Sequence, residues 1–475
     1  MNQYYIGVDL GTSSVKLLLT DGAGRMIGEA TETYPLSFPH PGWSEQDPAD
    51  WWAAVQRGLQ RLLAQIDPAQ VRGVGVGGQM HGLVMLDAND RILRPAILWN
   101  DTRTGKETAY LNQEIGMEAL QARTGNIAFA GFTAPKVLWV RANEPKIFAQ
   151  CRKICLPKDY INYLLTGVFA TDVSDASGTL YFDVEHRRWS PEMLDLLGLD
   201  ETMLPAVYES GAPIGRTTLF GMDAVVCAGA GDNAAAAIGT ATVRDGQCNI
   251  SLGTSGTVFL PTETYVRTKN PALHSFCHAN GKWHLMGCIL SAASCNQWLV
   301  ETVLQTKDYA ALTPALTPDA AARQLYFLPY LSGERCPHND GAVRGAFVGL
   351  THADGREAMA LAVLEGVSFA IRDCVALCPT PIRAATVCGG GTKNPVWMQV
   401  LAAVLNARLQ VIRNEGPALG GAVLAAQADG HPFEVAPAVE AVIEPDPALV
   451  AVYEKKYAKF RTLYPMLKDF FKEEL

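Results

Sequence analysis

An acidic residue behind two glycines is the sharpest candidate for chemistry in this sequence. Asp232 follows Gly229-Ala230-Gly231 and precedes Asn233 and four alanines, which predicts the start of a helix with Asp232 as its N-cap. A carboxylate at a helix start beside a cleft can also act as a general base. Phosphoryl transfer to an alcohol needs such a base, together with a metal ion and hydrogen-bond donors.

A four-residue motif occurs twice in the chain. Leu10-Gly11-Thr12-Ser13 recurs about half a chain length later as Leu252-Gly253-Thr254-Ser255, each time between two apolar segments that predict a β-hairpin. Glycine lets a ligand approach the backbone, and turn N–H groups and hydroxyls donate to phosphate oxygens. Two such turns could hold a polyphosphate between two similar halves. For either copy alone, an ordinary tight turn is the favoured interpretation.

An aspartate stands directly in front of the first of these turns. Asp9 lies two residues before Gly11, at the end of a predicted strand. Its carboxylate can hold Mg²⁺ through water beside bound phosphates. The alternative role for Asp9 is to satisfy backbone groups of the turn.

Two glycine-rich segments offer other ligand sites. Gly389-Gly390-Gly391 follows an apolar strand and precedes a helix, so it is either a platform for a flat or anionic ligand or a tight turn. Gly73, Gly75 and Gly78 fit the spacing G-x-G-x-x-G of dinucleotide sites, which requires a helix next. More strand follows instead, so close packing of the sheet is favoured over a nicotinamide site.

These residues are carried by alternating strands and helices, which indicates an α/β class with mixed sheets. The helix that starts at Pro48 has Asp47 as a cap and an apolar face. The other main elements predicted are hairpins at 5–19 and 248–261, a strand at 71–76, and helices at 134–143, 158–166, 285–303, 359–378 and 395–405.

Composition excludes several classes of protein. The 475 residues carry 39 basic and 48 acidic side chains, and a net charge of −9 argues against a general nucleic-acid surface. The apolar windows 224–243 and 285–300 contain polar residues, and the start lacks signal-peptide features, so no membrane span or leader is expected. Eleven scattered cysteines predict buried, reduced thiols in the cytoplasm. His274 and His278 are favoured as ordinary histidines over metal ligands.

Taken together, the motifs resemble those of the FGGY carbohydrate kinases, in order along nearly the whole chain. The segments that carry the resemblance are VDLGTSSVK (8–16), GQMHG (78–82), ILWNDTR (97–103), GFTAPKVLWV (131–140), LPKDY (156–160), GAGDNAAAAIG (229–239), SLGTSGTV (251–258), SGERCPH (332–338) and CGGGTKN (388–394).

The resemblance implies a fold of two actin-like, ribonuclease-H-like domains with a central cleft. We expect an N-terminal domain at 1–243, with the sugar site and first phosphate turn, and a C-terminal domain at 244–475, with the second turn and the adenosine site. The implied activity is Mg²⁺- and ATP-dependent phosphorylation of D-xylulose at its 5-hydroxyl, and the implied assembly is a homodimer. The alternatives are ribulose, gluconate or a rarer ketose as substrate, a non-catalytic sugar-responsive or filament-forming protein, and a dehydrogenase.

The resemblance also implies roles for individual residues. Asp232 is similar to the base that deprotonates the sugar, and Asp9 to the acid that positions Mg²⁺. Lys16 corresponds to a basic position near the phosphates, although a solvated strand lysine is an alternative. The implied sugar-binding residues are Met80, His81, Asp232 and Asn233, with Trp99 and Asp101 nearby; the phosphate-turn residues are Thr12, Ser13, Gly253 and Thr254; and the adenosine-site residues are Gly390, Gly391 and Asn394.

Three residues depart from the family pattern. Ala142 and Ala358 stand where polar residues are usual, and both fall on predicted helices away from the chemistry. Cys336 replaces the usual threonine in SGERCPH. We expect only Cys336 to affect the pocket region and thereby the choice of sugar.

Overall fold

The computed structural model describes residues 3–310, 312, 315–413 and 416–472. The strands of its first half are β1 (Tyr4–Leu10), β2 (Ser14–Asp21), β3 (Met26–Thr33), β4 (Glu45–Gln46), β5 (Val71–Gly78), β6 (Val84–Leu86), β7 (Ala96–Ile97), β8 (Lys153–Cys155), β9 (Ala170–Asp172), β10 (Phe182–Asp183), β11 (Arg188–Trp189), β12 (Ala206–Tyr208), β13 (Pro213–Thr217), β14 (Ala224–Cys227) and β15 (Ala230–Gly231). Those of the second half are β16 (Asn249–Leu252), β17 (Gly256–Thr262), β18 (His274–Cys277), β19 (Trp283–Ile289), β20 (Tyr326–Leu328), β21 (Ala346–Val348), β22 (Ala384–Cys388), β23 (Arg408–Ile412) and β24 (Val439–Ile443).

The helices lie between and around these strands. They are α1 (Pro48–Leu63), α2 (Gly105–Ala109), α3 (Met117–Thr124), α4 (Thr133–Asn143), α5 (Pro145–Gln150), α6 (Pro157–Thr166), α7 (Val173–Ala176), α8 (Pro191–Leu197), α9 (Asp232–Gly239), α10 (Ala293–Gln297), α11 (Pro318–Ala321), α12 (Arg356–Val375), α13 (Pro395–Leu405), α14 (Gly416–Ala428) and α15 (Pro447–Leu467). Within these described residues, no helix combines the length and the apolar character that crossing a bilayer requires.

Each half of the chain builds one mixed, seven-stranded sheet. The first has the order β13-β14-β5-β1-β2-β3, with β15 also paired to β5, and the second has the order β18-β19-β17-β16-β22-β23-β24. In each sheet a hairpin contributes a central strand that runs parallel to a later strand, as β1 does to β5 and β16 does to β22. Each of the two Leu-Gly-Thr-Ser motifs forms the turn between the two strands of its hairpin. The predicted two-domain, mixed-sheet fold is therefore confirmed.

The local sequence explains where α1 begins and which of its faces is buried. The Asp47 carboxylate accepts the N–H of Ala49 at 2.9 Å, and Pro48 begins α1, as predicted. The helix then buries Trp51, Val55 and Leu59 against the first sheet. Burying such side chains contributes about 1.5–3 kcal/mol each, so this face fixes the helix on the hairpin that carries Asp9.

The glycines of the first sheet allow a helix of the second half to approach it. A Cβ on Gly75 would lie 2.0 Å from the carbonyl oxygen of Gly421, and one on Gly7 would lie 1.7 Å from that of Ala418. Both partners belong to α14, which lies between β23 and β24 of the second sheet in sequence and packs on β1 and β5 of the first. The G-x-G-x-x-G segment is thus a packing strand, and β5 leads to β6 rather than to a helix.

The predicted helix at 285–303 is wrong in its first part and confirmed in its second. Residues Trp283–Ile289 form β19, which pairs with β17 through Leu285 opposite Leu260, and only 293–297 form an α-helix before a π-helical turn. A short apolar run has no periodicity that separates a strand from a buried helix, and pairing with β17 decides between them.

The structure also places the histidines and cysteines that the sequence singled out. His274 lies in β18, and no group of three or more potential metal ligands is assembled among the described residues. The eleven cysteines are all free thiols, as predicted.

Candidate active site

A cavity of about 200 Å³ lies where the two halves of the chain meet. It brings together five of the predicted sugar-site residues with side chains from the second half. The residues that line it are Met80, His81, Trp99, Gly131, Phe132, Asp232 and Asn233 from the first half, and Ser255, Thr257, Met286, Cys288 and Arg335 from the second.

Asp232 is the acid of this cavity. It is the first residue of α9, so the helix begins one residue earlier than the predicted N-cap would require. One carboxylate oxygen accepts the backbone N–H of Asn233 at 2.7 Å and its side-chain amide at 2.9 Å. Burial raises the pKa of Asp232 to about 6, while these two hydrogen bonds oppose the rise. A carboxylate with this pKa is well matched to accept a proton near neutral pH.

Asp9 lies on β1, opposite Lys16 of β2 and Gly77 of β5. Burial, together with the nearby charge of Asp232, raises the pKa of Asp9 to about 7, and Lys16 works in the opposite direction. Lys16 also forms an ion pair with Glu29 at 3.1 Å on the partly exposed strand surface. Two interacting carboxylates with an excess of negative charge suit a hard cation such as Mg²⁺, which commonly takes one or two carboxylates and completes its shell with water and phosphates.

A buried ionic cluster holds the backbone in front of Asp232. The Lys158 ammonium contacts Asp159 at 2.7 Å and Asp172 at 3.0 Å, and all three side chains are inaccessible or nearly so. Ser174 donates to Asp172 at 2.5 Å, and its Oγ accepts the N–H of Gly231 at 3.1 Å. The position of the catalytic candidate is therefore tied to the core. LPKDY contains two of these residues, but nothing local to the sequence shows their partners.

His81 presents a hydrogen-bond acceptor to the cavity. Its Nδ1 lies 2.8 Å from the carbonyl oxygen of Gly178, and burial together with Lys136 lowers the pKa of His81 to about 3. The ring is therefore neutral at physiological pH. Because a carbonyl only accepts, we assign the proton to Nδ1, which leaves Nε2 as an acceptor for a hydroxyl. Lys136 donates to the carbonyl oxygens of His81 and Gly131 at 2.7 Å each, which fixes two segments of the wall.

Of Trp99 and Asp101, only Trp99 lines the cavity. The Trp99 ring lines the cavity, and its Nε1 donates to Thr12 Oγ1 at 2.9 Å. Asp101 does not line the cavity: its buried carboxylate accepts the N–H of Ser44 at 2.6 Å and pairs with Arg103 at 2.7 Å. Asp101 thus stabilises the loop that carries Trp99.

Both phosphate-turn candidates adjoin this cavity. The first turn is closed by a bond from the Gly11 N–H to the Ser14 carbonyl at 3.0 Å, and it exposes Ser13. In the second turn the carbonyl of Gly253 accepts the N–H of Ala293 at 2.9 Å, and Thr254 is exposed. Ser255, the residue after Thr254, lines the cavity of about 200 Å³, as Trp99 does beside the first turn.

A second cavity of about 760 Å³ begins on the other side of the second turn. Ala293 belongs to its wall and is bonded to Gly253, so the two sites are contiguous. The glycine-rich turn 390–393 contributes backbone, and a Cβ at Gly390 would meet nothing within 4 Å. Asn394 lines the cavity and caps α13 through the N–H of Trp397 at 3.1 Å. The remaining lining residues are Asn296, Gln297, Tyr309, Ala310, Gly391, Lys393, Pro395 and Trp397.

The sequence pointed to the wrong residue in the SGERCPH segment. Cys336 is fully buried in the core of the second half, near Cys374, and it does not line the cavity that contains Asp232. Its neighbour Arg335 does, with its guanidinium 5.1 Å from the ring centroid of Phe129. Ala142 and Ala358 lie on α4 and α12, outside both cavities. The signal for Arg335 was its positive charge within the motif, directly after Glu334.

Comparison with known proteins shows which family this chain resembles over nearly its whole length. Profiles of the N- and C-terminal domains of the FGGY family of carbohydrate kinases match residues 4–239 and 248–428. The xylulose kinase of Escherichia coli K12 is 42% identical, with 98% of this chain and 99% of that protein aligned.

Solved structures show the same similarity. A "xyloylose kinase" from Brucella ovis superposes with a TM-score of 0.94 at 42% identity, covering 98% of this chain and 100% of that one. A gluconate kinase from Lactobacillus acidophilus superposes with a TM-score of 0.92 at 26% identity, covering 98% of each chain.

Proposed function

This chain belongs to the FGGY family of carbohydrate kinases, and on that premise we propose that it transfers the γ-phosphoryl group of ATP to the 5-hydroxyl of D-xylulose. The observation that carries the chemistry is the small cavity in which Asp232 and the neutral His81 lie between the two Gly-Thr turns. The choice of xylulose is supported by the high similarity to xylulose kinases over nearly the full chain.

In the proposed reaction the sugar lies in the cavity with a hydroxyl donating to His81 Nε2. Asp232 accepts the proton of the 5-hydroxyl as the new bond from oxygen to the γ-phosphorus forms and the bond to ADP breaks. The N–H groups of the two turns donate to the phosphoryl oxygens. Asp9 would hold Mg²⁺ through water, and the ion would supply positive charge against the charge of the phosphates.

ATP has a continuous path in this arrangement. We place the adenosine in the larger cavity against Gly390, Gly391 and Asn394, with the phosphates running past Gly253 and Thr254 toward the other turn. Thr12, Ser13 and Lys16 receive them there. We place the domain boundary at 243/244, between the strands of the two sheets. Closure of the two domains would align the reacting atoms and exclude water.

A coupled assay of ADP release over a panel of sugars tests this function. We expect kcat/KM to be highest for D-xylulose and lower for ribulose, gluconate and other ketoses. A preference for ribulose would contradict the substrate assignment. No ADP release with any sugar would favour a non-catalytic protein, and nicotinamide-dependent activity would favour a dehydrogenase.

The nucleotide site gives a separate prediction. Gly390→Val adds a side chain where there is open space, and Gly390 lacks the positive φ of Gly389, so the fold should tolerate the change. Because the added carbons would occupy the adenosine cavity, KM for ATP should rise by about tenfold or more, the effect of losing roughly 1.4 kcal/mol of binding. KM for the sugar should stay unchanged. Steady-state kinetics, with ATP and the sugar varied in turn, measures the two KM values. An equal change in both would contradict the placement of the adenosine site.

Three features stay predictions from the sequence. They are a cytoplasmic location, assembly as a homodimer, and no binding to nucleic acid.

A further inference from the structure

One side chain connects the sugar cavity to the first phosphate turn. The Trp99 ring lines the cavity, while its Nε1 donates to the Oγ1 of Thr12 at 2.9 Å. Thr12 lies in the turn between β1 and β2, far from Trp99 in sequence. A change at the sugar therefore has a direct contact through which to reach the phosphates.

The chemistry of this hydrogen bond gives it a direction. An indole N–H is a donor only, so the Thr12 hydroxyl must be the acceptor. Its own hydrogen is then turned away from Trp99 and is available to an outside acceptor, which a phosphate oxygen would provide. The backbone of the turn is held separately, because the Thr12 carbonyl accepts the side-chain amide of Gln46 at 2.6 Å. Trp99 thus orients the hydroxyl without being needed to hold the backbone.

The side chain of Trp99 is partly exposed to solvent, whereas its backbone is closely packed. Trp99 is 44% exposed. The backbone has no such freedom, since even a Cβ on Gly131 would come within 2.4 Å of the Trp99 carbonyl oxygen. A sugar in the cavity would cover the open ring and restrict its rotamers.

We propose that Trp99 couples sugar occupancy to ATP binding by orienting the Thr12 hydroxyl. With sugar present, the indole is fixed and Thr12 donates to the terminal phosphate of ATP. With the cavity empty, the indole is free to rotate, and the Thr12 hydroxyl is no longer held in the orientation that donates to the phosphate. The two ligands consequently strengthen each other's binding by the same factor, as linkage requires. The proposal rests on the proposed kinase function.

Calorimetric titration tests this coupling directly. A non-hydrolysable ATP analogue with Mg²⁺ is titrated into the full-length protein with and without saturating D-xylulose, and the ratio of the two Kd values is the coupling factor. We expect a factor of about three to ten in the unmodified protein, the range for one hydrogen bond. Trp99→Phe keeps the ring but removes the N–H, so the factor should fall to about one.

Variants of Thr12 provide the matched controls. Thr12→Val should abolish the coupling, Thr12→Ser should retain it, and the double variant Trp99→Phe/Thr12→Val should match Thr12→Val alone, because both changes break the same bond. Should Trp99→Phe not fold, the Val and Ser variants still decide the matter. A coupling factor of one in the unmodified protein, or an unchanged factor in Trp99→Phe or Thr12→Val, overturns the proposal. Failure of the kinase assignment would look different, since the unmodified protein would then phosphorylate no sugar.

Discussion

Asp232→Asn is expected to lower kcat by about 10²–10⁴-fold, the usual contribution of a general base. The amide is nearly the same size as the carboxylate and keeps one acceptor oxygen, but it cannot take the proton of the sugar hydroxyl. Binding of D-xylulose, measured by calorimetry, should change little. Near-normal turnover by this variant in the ADP-release assay would refute the role of Asp232.

The pH dependence of the same reaction gives a second measurement. The pKa of Asp232 is raised to about 6, and the neighbouring Asp9 to about 7, so the carboxylate forms are lost as pH falls through this range. For the unmodified protein, kcat/KM should therefore rise between pH 5 and pH 8, with a limb that belongs to the pair of acids. The residual activity of Asp232→Asn should have a weaker acid limb.

Asp9→Asn is the matched control, since it removes the same charge from the neighbouring carboxylate. Because Asp9 is assigned to Mg²⁺ and not to proton transfer, added Mg²⁺ should partly restore the activity of Asp9→Asn. It should not restore that of Asp232→Asn. Rescue of both variants, or of neither, would contradict the division of roles.

Lys158→Met is expected to reduce the free energy of unfolding by about 3–5 kcal/mol, the cost of breaking a buried ion pair from one side. The variant would leave Asp159 and Asp172 buried without their cation. Burial already raises the pKa of Asp175, next to this pair, well above its usual range, and the Lys158 ammonium opposes that rise. Denaturation in urea, followed by circular dichroism, measures the loss.

Lys282→Met is the matched control for this prediction. Lys282 pairs with Glu263 at the surface, where the two side chains are 40% and 50% exposed. Exposed pairs contribute about 0–1 kcal/mol, so the control should unfold at nearly the same urea concentration as the unmodified protein. Similar losses in the two variants would show that the buried cluster does not stabilise the segment that leads to Asp232.

Much of the fold was predictable from local patterns. The hairpins, the Asp47 cap of α1 and the bounds of α13 follow from turn residues, capping and amphipathic spacing, which act over a few residues. The repeated Leu-Gly-Thr-Ser turn also indicated two similar halves, and the matching strand orders confirm this. The first part of the predicted helix at 285–303 was wrong because its apolar residues fit both periods, and only pairing with β17 selects the strand.

The sequence by itself determined which chemistry the chain could perform: the two aspartates, the paired phosphate turns and the motifs of a sugar kinase. Only the tertiary structure decided which side chains meet and which nitrogen of His81 carries the proton. It also decided that burial raises the pKa values of Asp9 and Asp232, and that the charge of Asp232 adds to the rise at Asp9. It removed Asp101 and Cys336 from the cavity, admitted Arg335, and joined Trp99 to Thr12. The physical reason is that burial and charge–charge interactions depend on distance in space, and these partners are far apart along the chain.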